Sequence, residues 1–245
     1  MDVKDALAAS CRPAPQPALV QRQVFVAGNI GELGEKVLNR LLSAREYAHV
    51  TVAARAPLRS AHAKLIVHPL DTAHLETATL PDDVQDVVCC ISGKSGFHKR
   101  DNAYLPLEAE QVVPIAQAAR RAGAQRFLLV SPMSAWLQMS ASQAALFGEM
   151  ELALMRVELP STIVLRPSRD GDQAADGSFL DRFAAGWLSV LKGYLVPHSL
   201  QQLRSDVIAR AAVHFLSTAE PGFKVISARE IHAWAHPDAG PRRGI

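Results

Sequence analysis

Short apolar runs alternate with longer amphipathic stretches along most of the chain. Val24-Phe25-Val26-Ala27 comes first and ends in glycine, and Leu33, Val37, Leu38, Leu41 and Leu42 then fall on one helical face. Further runs are Val50-Thr51-Val52-Ala53-Ala54, Leu65-Ile66-Val67, Val87-Val88-Cys89-Cys90-Ile91, Phe127-Leu128-Leu129-Val130 and Thr162-Ile163-Val164-Leu165. Their lack of a polar face predicts strands buried on both sides. Helical periodicity predicts a helix over 103–122, kinked by Pro114 and closed by Gly123, and another over 142–157. Two more helices are expected over 179–191 and 206–216. A last strand at 223–226 leads into Ser227-Ala228-Arg229-Glu230, which has capping-box spacing for a terminal helix.

Strands separated by helices imply a parallel sheet, because each right-handed crossover between parallel strands has room for one helix. The expected class is therefore doubly wound α/β, a single domain. Residues 1–22 read as a flexible tail, 23–167 as the nucleotide-binding core, 168–236 as a smaller substrate or lid portion completing the same domain, and 237–245 as a second tail. Residues 168–178 are polar, carry Gly171 and Gly177, and form a loop suited to ligand contacts.

The main chemical signal lies where the first strand passes into the first helix: Gly28-Asn29-Ile30-Gly31-Glu32-Leu33-Gly34. In this G-x-x-G-x-x-G spacing the first glycine permits a tight turn. The second admits a pyrophosphate to the backbone, and the third lets helix and strand pack closely. The helix N-terminus supplies N–H donors and the positive end of its dipole. Gly28, Asn29, Ile30, Gly31, Leu33 and Gly34 are thus expected to hold a dinucleotide, with Glu32 turned to solvent. After the second strand, where a carboxylate would hold a ribose 2′-hydroxyl, stands Ala53-Ala54-Arg55, with Arg59 close behind. This favours NADP over NAD, Arg55 pairing with a 2′-phosphate. Asp71 has two readings, a contact to the adenine edge or a cap for the helix that follows.

Ser92-Gly93-Lys94-Ser95 ends like a phosphate-binding P-loop, but Val88 stands where that motif needs its first glycine. Ser92 and Gly93 are better placed in a turn beside the nicotinamide-side ribose, with Lys94 a candidate phosphate contact. His98, Lys99 and Arg100 form a basic cluster with two even readings, a solvated loop or a ligand contact.

The glycine pattern, Cys89-Cys90-Ile91-Ser92-Gly93, Asp101-Asn102-Ala103-Tyr104, Leu129-Val130-Ser131-Pro132 and Leu165-Arg166-Pro167 follow one another in an order that is itself informative. In that order they resemble the atypical, extended-like short-chain dehydrogenase/reductases, especially the Tat-interacting-protein-like oxidoreductase branch, over residues 23–234. The resemblance implies a Rossmann fold. Gly148-Glu149-Met150-Glu151 is similar to the family stretch that directly follows its catalytic lysine. The family's reaction uses a serine that polarises a carbonyl, a tyrosine as general acid/base, and a lysine four residues on. Ser131 falls on the serine position, but Gln143 occupies the tyrosine position and Phe147 the lysine position. Neither can replace its counterpart, since an amide does not exchange a proton near neutral pH and a phenyl ring carries no charge. The chain's tyrosines are Tyr47, Tyr104 and Tyr194, none with a lysine four residues on. Ser134 is a second hydroxyl nearby, with a helix-cap reading.

Composition narrows the alternatives. The 245 residues carry 26 Lys+Arg against 24 Asp+Glu, a formal net charge of +2 with no basic stripe, which disfavours nucleic acid as a partner. No apolar run reaches the length of a membrane span. Three cysteines cannot build a disulfide framework, and neighbours Cys89 and Cys90 would point to opposite faces of a strand. Residues 1–17 carry Asp2 and Asp5 and no continuous apolar core of a secretory signal, so a cytoplasmic protein is expected. His232 and His236 are four apart, but Pro237 ends their segment and no third ligand accompanies them, so zinc is not expected. A G-x-S-x-G nucleophile elbow is absent.

Three functions follow from these residues. The first is a nucleotide-cofactor-binding protein without standard reductase chemistry, acting in cofactor sensing, as a scaffold or in assembly. The second is an active NADPH-dependent oxidoreductase or isomerase on a small carbonyl compound, with a non-standard proton donor. The third is an interaction protein that no longer binds nucleotide, which the retained glycine loop disfavours. A protein partner or a homodimer through the apolar helix 144–155 is a further expectation.

Overall fold

The computed structural model describes residues 21–55, 62–91, 104–134, 148–169 and 203–237. Their core is a seven-stranded, all-parallel sheet of β1 (Arg22–Ala27), β2 (Tyr47–Ala54), β3 (Leu65–Pro69), β4 (Asp86–Cys90), β5 (Arg126–Val130), β7 (Ser161–Arg166) and β9 (Gly222–Ser227). The strand order is β3-β2-β1-β4-β5-β7-β9. This is the Rossmann arrangement, in which the chain reverses its direction of travel between β1 and β4 and opens a crevice beyond their carboxyl ends. Two short segments, β6 (Met133–Ser134) and β8 (Ser168–Arg169), pair parallel just past β5 and β7.

Alternation along the strands divides the core in two. Val24, Val26, Val50, Val52, Cys90, Leu128 and Leu165 pack on one face with α1 (Gly31–Ser43) and α4 (Ser205–Ser217). Phe25, Ala27, Val87, Cys89, Phe127, Leu129 and Val164 pack on the other with α2 (Ala109–Arg121) and α3 (Glu149–Val157). Cys89 and Cys90 thus lie on opposite faces, and both are free thiols. The terminal helix α5 (Ala228–Ala235) starts as its capping box foretells, with Glu230 Oε2 accepting the Ser227 N–H at 2.8 Å.

Three sequence expectations change. Leu65-Ile66-Val67 is not buried on both faces: β3 is an edge strand, and Ile66 is 43% exposed. The helix expected from 103 begins at Ala109. Pro106 disfavours helical geometry at Leu105, and the extended stretch instead crosses the carboxyl edge of the sheet, Tyr104 bridging Ala54 and Leu105 bonding to Ala53. Gln111 Oε1 then accepts the Glu108 N–H at 3.0 Å and starts the helix, which continues through Pro114 without interruption. In the third, the described part of the 142–157 helix starts at Glu149, behind Gly148. The helix expected at 179–191 lies outside the described residues.

Candidate functional site

The strand register sets one edge for the site. Ala27 pairs with Cys89, Cys89 with Leu129 and Leu129 with Val164, so Gly28, Ile91, Ser131 and Pro167 all emerge beyond the carboxyl ends of neighbouring strands. Ile91 N–H donates to Val130 O at 2.9 Å, and Ser131 N–H donates to Leu165 O at 2.9 Å.

The glycine loop is built by close approach. Gly28 has φ +75°, and a Cβ there would stand 2.0 Å from the Cys90 carbonyl oxygen and 2.8 Å from Leu107 Cβ. A Cβ on Gly34 would stand 2.6 Å from the Asn29 carbonyl carbon, so α1 lies directly on the loop backbone. Gly31 differs: its φ is +73°, but a Cβ would meet nothing within 4 Å among the described residues. Space is therefore open where the helix begins. Ile30, at the N-cap, supplies no side-chain bond to the first turn of α1, leaving helix donors for an anion. Ile30 is buried, Leu33 is half-buried against the core, and Glu32 is exposed. Asn29 is buried, and neither its Nδ2 nor its Oδ1 has a hydrogen-bond partner among the described residues.

At the end of β2, Ala53 and Ala54 are buried and Arg55 is exposed in the bend that follows. Asp71, past β3, is exposed, and its Oδ2 meets His74 Nδ1 at 2.9 Å. Ser131 is half-buried after β5. Tyr104 packs against the core at the end of β2. In the order β2-β1-β4-β5 that is three strands from Ser131, about 14 Å at ~4.8 Å per strand.

Arg59, Ser92, Gly93, Lys94, His98, Lys99, Arg100, Gln143, Phe147 and Tyr194 lie outside the described residues. Of Ser134 only the backbone is described, in β6. The His232 and His236 rings stand 4.8 Å apart, and no group of three or more metal-binding side chains occurs among the described residues.

Two buried polar nodes were not recognised in the sequence. At the amino edge of the sheet Asp86 accepts from the Tyr47 hydroxyl at 2.7 Å and from Arg126 Nε at 2.7 Å, with Arg22 beside it. Burial, then the Asp86 carboxylate, pushes the Tyr47 hydroxyl well above its ordinary range, so it holds its proton. At the carboxyl edge Arg166 of β7 pairs with Glu151 of α3, both buried. The signal for this pair was an arginine directly following the apolar run Ile163-Val164-Leu165, at a buried strand end where a charge demands a partner. Burial also pushes the Cys90 thiol up to about 12 and raises Cys89, so neither offers a thiolate nucleophile at neutral pH.

No family model matches the chain. It is similar to Protein FMP52, mitochondrial, of Coccidioides immitis (strain RS), with 26% identity over 220 residues covering 80% of this chain and 87% of the relative. Protein FMP52-1, mitochondrial, of Scheffersomyces stipitis is 24% identical over 84% of this chain and 96% of its own. Protein HTATIP2 of Rattus norvegicus is 24% identical over 72% of this chain and 76% of its own. The resemblance to the atypical short-chain dehydrogenase/reductases is borne out. Among solved structures, MoeE5 in complex with UDP-glucuronic acid and NAD is 16% identical with a TM-score of 0.50, over 84% of this chain and 76% of that one. An NADPH-dependent quinone oxidoreductase from Escherichia coli is 18% identical with a TM-score of 0.49, over 83% and 66%. At these identities the structural likeness concerns the fold alone, a Rossmann-type parallel sheet.

The relatives correct the cytoplasmic expectation, because both FMP52 proteins are named as mitochondrial. Lack of a continuous apolar core argues against a secretory signal only; mitochondrial leaders are amphipathic and lack such a core as well. Among the described residues no helix is long and apolar enough to cross a membrane.

Proposed function

We propose that the protein binds NADP in the glycine-loop crevice and lacks the standard short-chain-reductase proton relay, serving in cofactor sensing, as a scaffold or in assembly. The observation that carries this reading is where the two described tyrosines stand. Tyr47 is locked to Asp86 at the amino edge of the sheet, and Tyr104 is three strands from Ser131. Gln143 and Phe147 fill the motif positions where the family's tyrosine and lysine would be.

The loop fits a dinucleotide on its own geometry. Among the described residues, Gly31 leaves open space beside the uncapped first turn of α1, and the buried Asn29 amide has no hydrogen-bond partner. Gly28, Asn29, Ile30, Gly31, Leu33 and Gly34 would hold the pyrophosphate side, Ser92, Gly93 and Ser131 the nicotinamide side. The bound cofactor would supply hydride chemistry at its nicotinamide ring; the chain's part is to bind and orient it. Preference for NADP rests on Arg55, which stands at the end of β2 where a carboxylate would select NAD. A second reading, an active NADPH-dependent oxidoreductase or isomerase with a non-standard proton donor, is favoured by Ser131 being half-buried beyond β5.

Thermal-shift titration with NADPH, NADP⁺, NADH and NAD⁺ tests the binding claim, and stabilisation by the phosphorylated pair is expected. No shift with any of them overturns it, and a larger response to NADH rejects the role of Arg55. NADPH consumption against a panel of carbonyl compounds tests the rest; turnover that Ser131→Ala abolishes establishes the second reading instead.

A further inference from the structure

His232 and His236 are one helical turn apart at the end of α5, and their side chains meet. The ring centroids stand 4.8 Å apart, with the planes inclined at 52°. At the usual metal–imidazole bond of about 2.0–2.1 Å, two imidazoles that share one ion at a right-angled to tetrahedral bite have centroids about 4.5–5.2 Å apart. The observed separation falls inside that range. Two histidines at i and i+4 on one helical face are also the arrangement by which a helix chelates a metal ion.

The surrounding structure holds the pair in place. Ser227 and Glu230 cap the start of α5, Ile231 is fully buried, and the Trp234 ring stacks on His214 of α4 at 5.0 Å. His236 lies past the last helical residue, yet its N–H donates to His232 O at 3.0 Å, so the one-turn spacing persists. His232 is half-buried and His236 exposed, which leaves the pair within reach of solvent. The position suits a cation as well, because the closing turn of a helix carries unpaired carbonyls and the negative end of the dipole.

A closed zinc site needs four protein ligands, and among the described residues no third His, Cys, Asp or Glu joins this pair. An ion that takes two protein nitrogens and keeps water in its other positions has no such need. Imidazole suits copper, nickel and zinc, and at a given nitrogen site Cu(II) is held most tightly. We propose that His232 and His236 form an open, two-imidazole site for a borderline divalent transition-metal ion, Cu(II) ahead of Ni(II) and Zn(II). The site is separate from the glycine loop: β9, which leads into α5, is an edge strand four spacings from β1, about 19 Å at ~4.8 Å each. Metal binding and dinucleotide binding therefore stand or fall independently.

Calorimetric titration of the full chain with CuCl₂ at neutral pH, in a buffer that does not coordinate metals, tests the site. His232→Ala and His236→Ala are each expected to weaken the tightest Cu(II) binding about tenfold to a hundredfold, because the chelate is lost. His49→Ala, which removes an exposed histidine on β2, should leave it unchanged. His236 is exposed beyond the helix end, so its variant should fold, as near-UV circular dichroism checks. The electron paramagnetic resonance spectrum of bound Cu(II) should carry the splitting of two imidazole nitrogens in wild type and of one in either variant. Wild-type Cu(II) affinity in His236→Ala overturns the proposal, as does no binding by the wild-type chain. Equal loss in His49→Ala overturns it too, since the ion is then held by scattered single histidines. Tighter binding of ZnCl₂ or NiCl₂ than of CuCl₂ overturns the assigned order of metals.

Discussion

Arg166 at the end of β7 and Glu151 in the first turn of α3 form a buried, two-pronged ion pair. Arg166 Nε donates to Glu151 Oε1 at 2.8 Å, and a second guanidinium nitrogen reaches Oε2. Glu151 Oε2 also accepts the Gly148 N–H at 3.0 Å, so one carboxylate holds both the strand end and the helix start. Breaking such a pair strands a charge in a dry site. Arg166→Met or Glu151→Leu alone is expected to cost about 3–5 kcal/mol in urea unfolding, while the double substitution recovers most of that loss. Equal losses in the single and double variants would show that packing, not charge, sets the cost.

The glycine loop separates folding from binding. Gly28→Ala forces a Cβ into the Cys90 carbonyl, and Gly34→Ala forces one into the Asn29 backbone. Each is expected to cost about 2–4 kcal/mol, with poorly folded protein a frequent outcome. Gly31→Ala meets no atom within 4 Å and pays only for a positive φ, about 1–2 kcal/mol. It should fold, as judged by near-UV circular dichroism, and lose most of the thermal shift that NADPH gives wild type, because its methyl group occupies the open space beside α1.

Much of this was legible beforehand because a buried parallel strand writes itself as a continuous apolar run. The glycine spacing likewise reports close backbone approach. Register is what the sequence could not supply. That Tyr104 lies at the end of β2, far from Ser131, depends on Pro106 and on the crossing of 104–107 over the sheet. The Glu151–Arg166 pair was visible as two separate motifs, and only the packing of α3 beside β7 joins them. Ile66 read as buried because a run of three apolar residues does not tell an edge strand from a central one.

Arg55 is exposed, so its contribution to a 2′-phosphate is an interaction in a wet site. Arg55→Ala is expected to weaken NADPH about threefold to tenfold and leave NADH unchanged. Arg55→Asp should invert the preference by placing a carboxylate where a ribose 2′-hydroxyl would sit. Calorimetric titration of both cofactors decides the point; equal losses for NADPH and NADH would assign Arg55 no part in the choice.

Stability should fall at alkaline pH through three buried acids. Tyr47, Cys89 and Cys90 are all raised in the folded protein by burial, Cys90 to about 12 from an ordinary 9.0. A folded-state value above the unfolded one means that the unfolded chain releases its proton first as pH rises. Stability from these groups is therefore complete below about pH 9 and is lost as pH climbs through the ordinary thiol and phenol ranges toward the raised folded values. Each fully engaged group contributes a slope of about 1.4 kcal/mol per pH unit. Urea midpoints between pH 8 and pH 11 should drop in wild type. Cys90→Ala should flatten the limb that begins near pH 9, and Tyr47→Phe the steeper part above pH 10. The Tyr47→Phe protein should also be less stable at neutral pH, because Asp86 loses the hydroxyl donor at 2.7 Å. An alkaline limb unchanged by either substitution would place the titrating groups elsewhere in the chain.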